Sequence, residues 1–102
     1  MDNLPELTHL QFAVLNIVEA TEISGRELRN QLHEAGIEKS GPSFYQMMAR
    51  LEEAKFVKGW YEQEIVEGQI IRERHYQILT SGVRALRQVI DFYESKLAME
   101  TW

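Results

Sequence analysis

The spacing of apolar residues along the chain changes twice, which divides it into helical, extended and again helical stretches. In the first 55 residues the spacing is helical and comes in three short runs. Phe12, Leu15 and Val18, joined by Val14 and Ile17, make one broad apolar face. Thr8 and Gln11 just before it fit a capping box, which places the helix start at Thr8. Ser24-Gly25-Arg26-Glu27 is a second capping box, opening a short helix with Leu28 and Leu32 on one side. Gly36 supplies the left-handed residue that ends it. Ser40-Gly41-Pro42-Ser43 opens a third helix, with Pro42 suited to the first helical position. Its apolar side is Phe44, Met47 or Met48, Leu51 and Ala54, and it runs out near Lys55.

From Phe56 to Leu79 the chain is rich in Val, Ile, Trp and Tyr, with Gly68 near the middle, and reads as a β-hairpin. A two-residue turn at Glu67-Gly68 would set Glu62 opposite Glu73. A three-residue loop, Glu67 to Gln69, instead pairs Val66 with Ile70, Glu64 with Arg72, Glu62 with Arg74 and Trp60 with Tyr76. Cross-strand opposite charges and aromatics contribute about 0.2–1 kcal/mol each, whereas like charges repel. The three-residue register is therefore the expectation.

The last segment returns to helical spacing near Thr80 or Ser81. Val83, Leu86, Ile90, Tyr93 and Leu97 fall three, four, three and four residues apart, the seam of a coiled coil. Such a helix extends about 30 Å at about 1.5 Å per residue and overhangs so small a core. Burial of the seam against a second copy, a homodimer, is the simplest way to cover it. The fold class is thus mainly α with a β-hairpin wing: a winged helix-turn-helix over residues 1–79 and a long dimerisation helix over 80–102.

With 102 residues, 44% of them hydrophobic, the chain suits one soluble domain with a modest core. The absence of cysteine excludes disulfides and thiolate chemistry and fits a reducing compartment, so a cytoplasmic location is expected. Leu7 to Val18 is too short for a membrane span, which needs about 20 apolar residues. The acidic start lacks the basic region of a signal peptide. A net charge of -5 argues mildly against a nucleic-acid partner, but the charge is uneven. Residues 1–38 set Arg26 and Arg29 against seven acidic residues and carry all of it. Lys39, Arg50, Lys55 and Lys58 against Glu52 and Glu53 leave residues 39–58 locally positive.

Enzyme chemistry finds no foothold. His9, His33 and His75 are dispersed, so no metal site is expected. Glu52 and Glu53 point to different sides of a helix, and neither a glycine-rich phosphate loop nor a nucleophile elbow is visible. No cofactor is expected.

Pro42-Ser43-Phe44-Tyr45-Gln46-Met47-Met48-Ala49-Arg50-Leu51-Glu52, Ser24-Gly25-Arg26-Glu27-Leu28, and Arg74-His75-Tyr76-Gln77-Ile78 followed by Gly82 carry a family resemblance. Together they resemble the PadR family of bacterial transcriptional regulators, in its short form with one C-terminal helix, over roughly residues 7–97. Lys55 stands where that family usually has a glycine, Leu79 where it has a threonine, and Glu73 interrupts the basic wing. The resemblance implies a homodimeric, sequence-specific binder of double-stranded DNA, most simply a repressor.

In a winged helix-turn-helix the third helix enters the major groove. Its candidate contacts here are Lys39, Ser40, Ser43, Tyr45, Gln46 and Arg50. The serines suit phosphate and Gln46 suits a bidentate adenine contact. Tyr45 could equally be a half-buried core ring, and Arg50 could pair with Glu53. The wing adds Lys58, Arg72 and Arg74, with Glu64 and Glu62 facing the two arginines in the favoured register. Many members of the family answer to a ligand. Trp60, Tyr93, Met99 and Trp102 are the large residues from which a pocket for a small hydrophobic effector would be built, with core or tail packing as the competing role. A winged-helix protein-interaction module without strong DNA binding is the alternative, favoured by the acidity.

Overall fold

The structure is a computed structural model that describes residues 6–100, with side chains to Ala98. The elements run α1 (His9–Ala20), β1 (Ile23–Ser24), α2 (Gly25–Glu34), α3 (Gly41–Glu53), β2 (Val57–Val66), β3 (Gln69–Ile78) and α4 (Thr80–Glu100). The expected order of three helices, hairpin and long helix is present, and the short strand β1 is an addition.

Each helix begins where a hydroxyl satisfies an otherwise unpaired N–H. At α1 both halves of the Thr8–Gln11 capping box form. At α2 the Ser24 hydroxyl accepts from the Glu27 N–H at 3.1 Å. The Glu27 carboxylate turns instead to Gln31, at 3.5 Å, so the second box is made only by half. Ser40 caps α3, and Gly41 takes its first position, leaving Pro42 second. At the far end of α2, Gly36 is left-handed (φ 85°), and the N–H groups of Gly36 and Ile37 bond back to the carbonyls of His33 and Leu32. This is a Schellman ending. The end of α3 repeats it with a lysine: Lys55 adopts φ 66°, and Lys55 and Phe56 bond back to Glu52 and Leu51. Lys55 thus takes up a left-handed backbone conformation that favours glycine.

The buried core is Val14, Leu15 and Val18 of α1, Ile23, Leu28 and Leu32, Phe44, Met48 and Leu51 of α3, Val57, Tyr76 and Leu86. Met48 rather than Met47 is the fully buried methionine, and Ala54 is exposed. The sheet is antiparallel in the order β1-β3-β2, so β3 is its central strand. Ile23 and Gly59 flank Tyr76 from the two sides.

The hairpin corrects the expected register. Val66 pairs with Gln69 across a two-residue turn, which sets Glu62 opposite Glu73, Glu64 opposite Ile71, Tyr61 opposite Arg74 and Trp60 opposite His75. Glu67 and Gly68 both have positive φ, 53° and 80°, as a type I′ turn requires. Such a turn matches the right-handed twist of the strands. The like-charge pair is tolerated because its members are drawn apart: Glu73 accepts from the Tyr45 hydroxyl and Glu62 from the Trp60 indole. The glutamate–arginine pairs of the other register do not form.

α4 divides in two. Ala85, Leu86 and Val89 are buried against the chain's own core, Ile90 packs on it, and Arg87 pairs with Glu19 of α1. Residues 91–98 are all exposed, including Phe92, Tyr93 and Leu97. Of the expected dimerisation seam, Leu86 is therefore taken by the monomer, Val83 and Ile90 are half-buried, and Tyr93 and Leu97 stand 59% and 61% exposed. Among the described residues no helix is long and apolar enough to cross a membrane.

The left-handed lysine gives a stability test. A Cβ in that conformation costs about 1–2 kcal/mol, partly offset by the chain entropy that glycine loses on folding. Lys55→Gly should raise stability in urea denaturation by about 0.5–1 kcal/mol. An unchanged or lower midpoint would refute this account of the α3 end.

Candidate nucleic-acid interface

α3 is a two-faced helix. Phe44, Met48 and Leu51 point into the core, while Pro42, Ser43, Gln46, Ala49, Arg50 and Glu53 are exposed. Among the described residues Gln46 and Arg50 make no bond to a neighbouring side chain, and Arg50 does not pair with Glu53. The Ser40 hydroxyl accepts from the Ser43 N–H at 3.3 Å, which fixes the helix start and leaves the Ser43 side chain in solvent. The positive dipole end of the helix faces outward with it.

Two clamps hold this helix against β3. The Tyr45 hydroxyl donates to Glu73 at 2.6 Å, and two turns on, Glu52 accepts a bidentate pair of bonds from Arg74. Both sit where a glycine leaves room. A Cβ at Gly25 would lie 2.8 Å from the Tyr45 ring and hydroxyl, and one at Gly59 would lie 2.7 Å from the Glu52 carboxylate. Tyr45 is half-buried and edge-packed on Phe44. Burial first, and the bond to Glu73 second, push its phenol up to about 12. The polar atoms of Tyr45 and Arg74 are thus engaged within the chain. The bond to Glu52 also raises the Arg74 guanidinium above its ordinary value.

The wing keeps Arg72 and Lys58 outward. Arg72 makes no ion pair among the described residues and lies 4.3 Å from the Tyr61 ring centre, with Arg74 at 4.7 Å on the same ring. Lys58 lies 5.5 Å from the Trp60 ring. An open groove of about 610 Å³ runs between α3 and the wing, with Ala49, Tyr61 and Arg72 among its walls. The wing tip is apolar: Ile65 and Ile70 face each other across the strands and are largely exposed.

A second groove, of about 550 Å³, lies at the start of α3, where Lys39 and Ser40 meet Arg26, Arg29 and Asn30 of α2. Arg29 reaches Gly41 and the Phe44 ring. The sequence placed Arg26 and Arg29 in the acidic part of the chain and did not bring them beside Lys39 and Ser40. Their three-residue spacing on the outer side of α2 was the available signal. Of the proposed effector pocket, Trp60 stacks on His75 and Tyr93 stands on distal α4, and neither groove is lined by them. Trp102 and the side chain of Met99 lie outside the described residues.

No protein-family model and no curated protein matches the chain. Solved structures do. A PadR-like transcription factor from Bacteroides fragilis superposes with a TM-score of 0.72 at 13% identity, over 90% of this chain and 86% of that one. The fold is that of PadR-like transcriptional regulators. A PadR-like regulator from Bacillus cereus matches at TM-score 0.71 and 20% identity, over 90% of this chain and 87% of its own. Bacillus subtilis PadR, solved in complex with operator DNA, matches at TM-score 0.66 and 19% identity. That match covers 81% of this chain but 47% of the longer PadR chain. The PadR-like fold accounts for the order of elements, including the wing and the long last helix.

The Tyr45 clamp has a measurable signature. A hydrogen bond to a charged group contributes about 1.5–3 kcal/mol, so Tyr45→Phe should destabilise the protein by that amount at neutral pH. A phenol raised in the folded state stabilises fully below its ordinary value of 10 and ceases to do so as pH rises from there through about 12. Tyr45→Phe should therefore also flatten the loss of stability above pH 10. Urea denaturation at neutral and alkaline pH reads both, and an unaltered alkaline slope would show that Tyr45 is not the titrating group.

Proposed function

We propose that the chain is a sequence-specific DNA-binding transcriptional regulator that acts as a homodimeric repressor. The observation that carries this is the outer face of α3. A helix whose inner face is fully buried presents the side chains of Ser43, Gln46, Ala49 and Arg50 without side-chain partners among the described residues, in a fold that Bacillus subtilis PadR brings to operator DNA. Ser43, Gln46 and Arg50 enter the major groove, with Gln46 reading a base edge. Lys39, Ser40 and Arg29 take phosphate at the helix start, and Arg72 and Lys58 take it from the wing. Tyr45 and Arg74 hold α3 and the wing at their mutual angle rather than touching DNA.

Dimerisation falls to distal α4. Phe92, Tyr93 and Leu97 leave an exposed apolar stripe, and a second copy covers it, with Ile90 at its inner end. The two α3 helices then meet successive major grooves about 34 Å apart, on a pseudo-palindromic site. The acidic remainder keeps non-specific attraction weak, so binding depends on the specific contacts.

The protein-interaction alternative draws on the engagement of Tyr45 and Arg74 within the chain, which leaves the wing fewer free donors. Selection from pooled genomic fragments separates the two readings. An enriched inverted repeat supports the regulator, and an intact dimer that enriches none supports the module. On an enriched site, Gln46→Ala should lower discrimination at its base by about 1–3 kcal/mol. Arg72→Ala should weaken all sites evenly and reduce the salt slope by about 0.9. A Tyr93→Ser, Leu97→Ser double variant should sediment as a folded monomer, and a persistent dimer would remove distal α4 from the interface.

A further inference from the structure

We propose that the root of the wing binds one first-row divalent transition ion, held by His75 Nε2 and the carboxylates of Glu22 and Glu62, with Glu64 beside them. The sequence scatters these residues. Pairing of β1 with β3 sets Ser24 against His75 and thereby brings Glu22, two residues earlier, to the same edge. Glu62 sits diagonally from His75, because Trp60 is its direct partner and Glu62 the next residue on that side. One ligand atom from each of Glu22, Glu62 and His75 lies within 4.8 Å of the others. Bonds of about 2.0–2.2 Å would draw them closer, which exposed glutamates can follow by rotation.

His75 supplies the independent argument. Its Nε2 is buried and has no hydrogen-bond partner among the described residues. Glu64 and Glu62 carboxylate oxygens lie 2.8 and 3.4 Å away, yet neither is aligned as an acceptor of the ring N–H. A buried polar atom left this way is costly. As a lone pair it faces negative charge, and a cation between the groups removes both penalties. Three carboxylates stand here, and Arg26, 3.4 Å from Glu64, is the only arginine or lysine paired with them among the described residues. Mixed imidazole and carboxylate donors favour ions of the zinc, cobalt and nickel kind over magnesium or calcium. Trp60 orients both ligands from outside: its indole donates to Glu62 at 2.9 Å and stacks on the imidazole at 6.2 Å. A bound ion ties the wing root to the connection between α1 and β1 that carries Glu22.

The inference does not require DNA binding, and its test reads the metal alone. Full-length protein is titrated with ZnCl₂ by calorimetry and, in a Trp102→Phe background, with NiCl₂ while Trp60 fluorescence is followed. One ion per chain, quenching of Trp60, and affinity weakened about tenfold or more by Glu22→Gln and by Glu62→Gln support the site. Both substitutions are on exposed side chains, and circular dichroism checks that the fold survives. Glu38→Gln, which removes the partner of the exposed His33, should change nothing. No zinc binding, equal binding of MgCl₂, unchanged affinity in either glutamate variant, or loss of binding in Glu38→Gln would overturn it.

Discussion

The angle between α3 and the wing depends on how α3 is fixed to the central strand. The core alone holds the helix through Phe44, Met48 and Leu51, but such contacts are non-directional and tolerate sliding. Tyr45–Glu73 and Glu52–Arg74 add direction, since each joins a polar group on one side of α3 to neighbouring residues of β3. Gly25 and Gly59 leave the space in which the two clamps close. The clamps use donors that would otherwise be free for a ligand. Their return is an outer helix face and a wing presented as one surface.

That surface reorganises the meaning of the charge. By sequence, the acidity belongs to residues 1–38 and the positive balance to residues 39–58. In three dimensions Arg26 and Arg29 leave the acidic segment and join Lys39 and Ser40 at the start of α3. The carboxylates of Glu22, Glu62 and Glu64 gather instead around His75 at the wing root. The Arg26–Glu64 pair joins the two groups, so tertiary contacts rather than chain position decide which charges meet.

α4 shows a single periodic pattern serving two ends. Its first half completes the core through Ala85, Leu86 and Val89, and the Arg87–Glu19 pair holds it to α1. Its second half runs beyond the buried core, and the same spacing there exposes Phe92, Tyr93 and Leu97. A seam continuous in sequence is therefore divided by how far the small domain reaches along the helix.

The sequence alone determined the helices, their caps, the hairpin and the long last helix, because these rest on contacts within a few residues: Thr8 with Gln11, Ser24 with Glu27, Ser40 with Ser43. It also identified the outward residues of α3, because their spacing follows from the buried Phe44, Met48 and Leu51. The hairpin register was misjudged from pairwise charge, since the turn geometry at Glu67-Gly68 outweighed a like-charge pair whose members had partners elsewhere. The engagement of Tyr45 and Arg74, the reach of Arg29 and the gathering of Glu22 and Glu62 at His75 each join residues far apart in the chain. Only the tertiary structure decided these, because no local spacing encodes which distant side chains a folded core sets face to face.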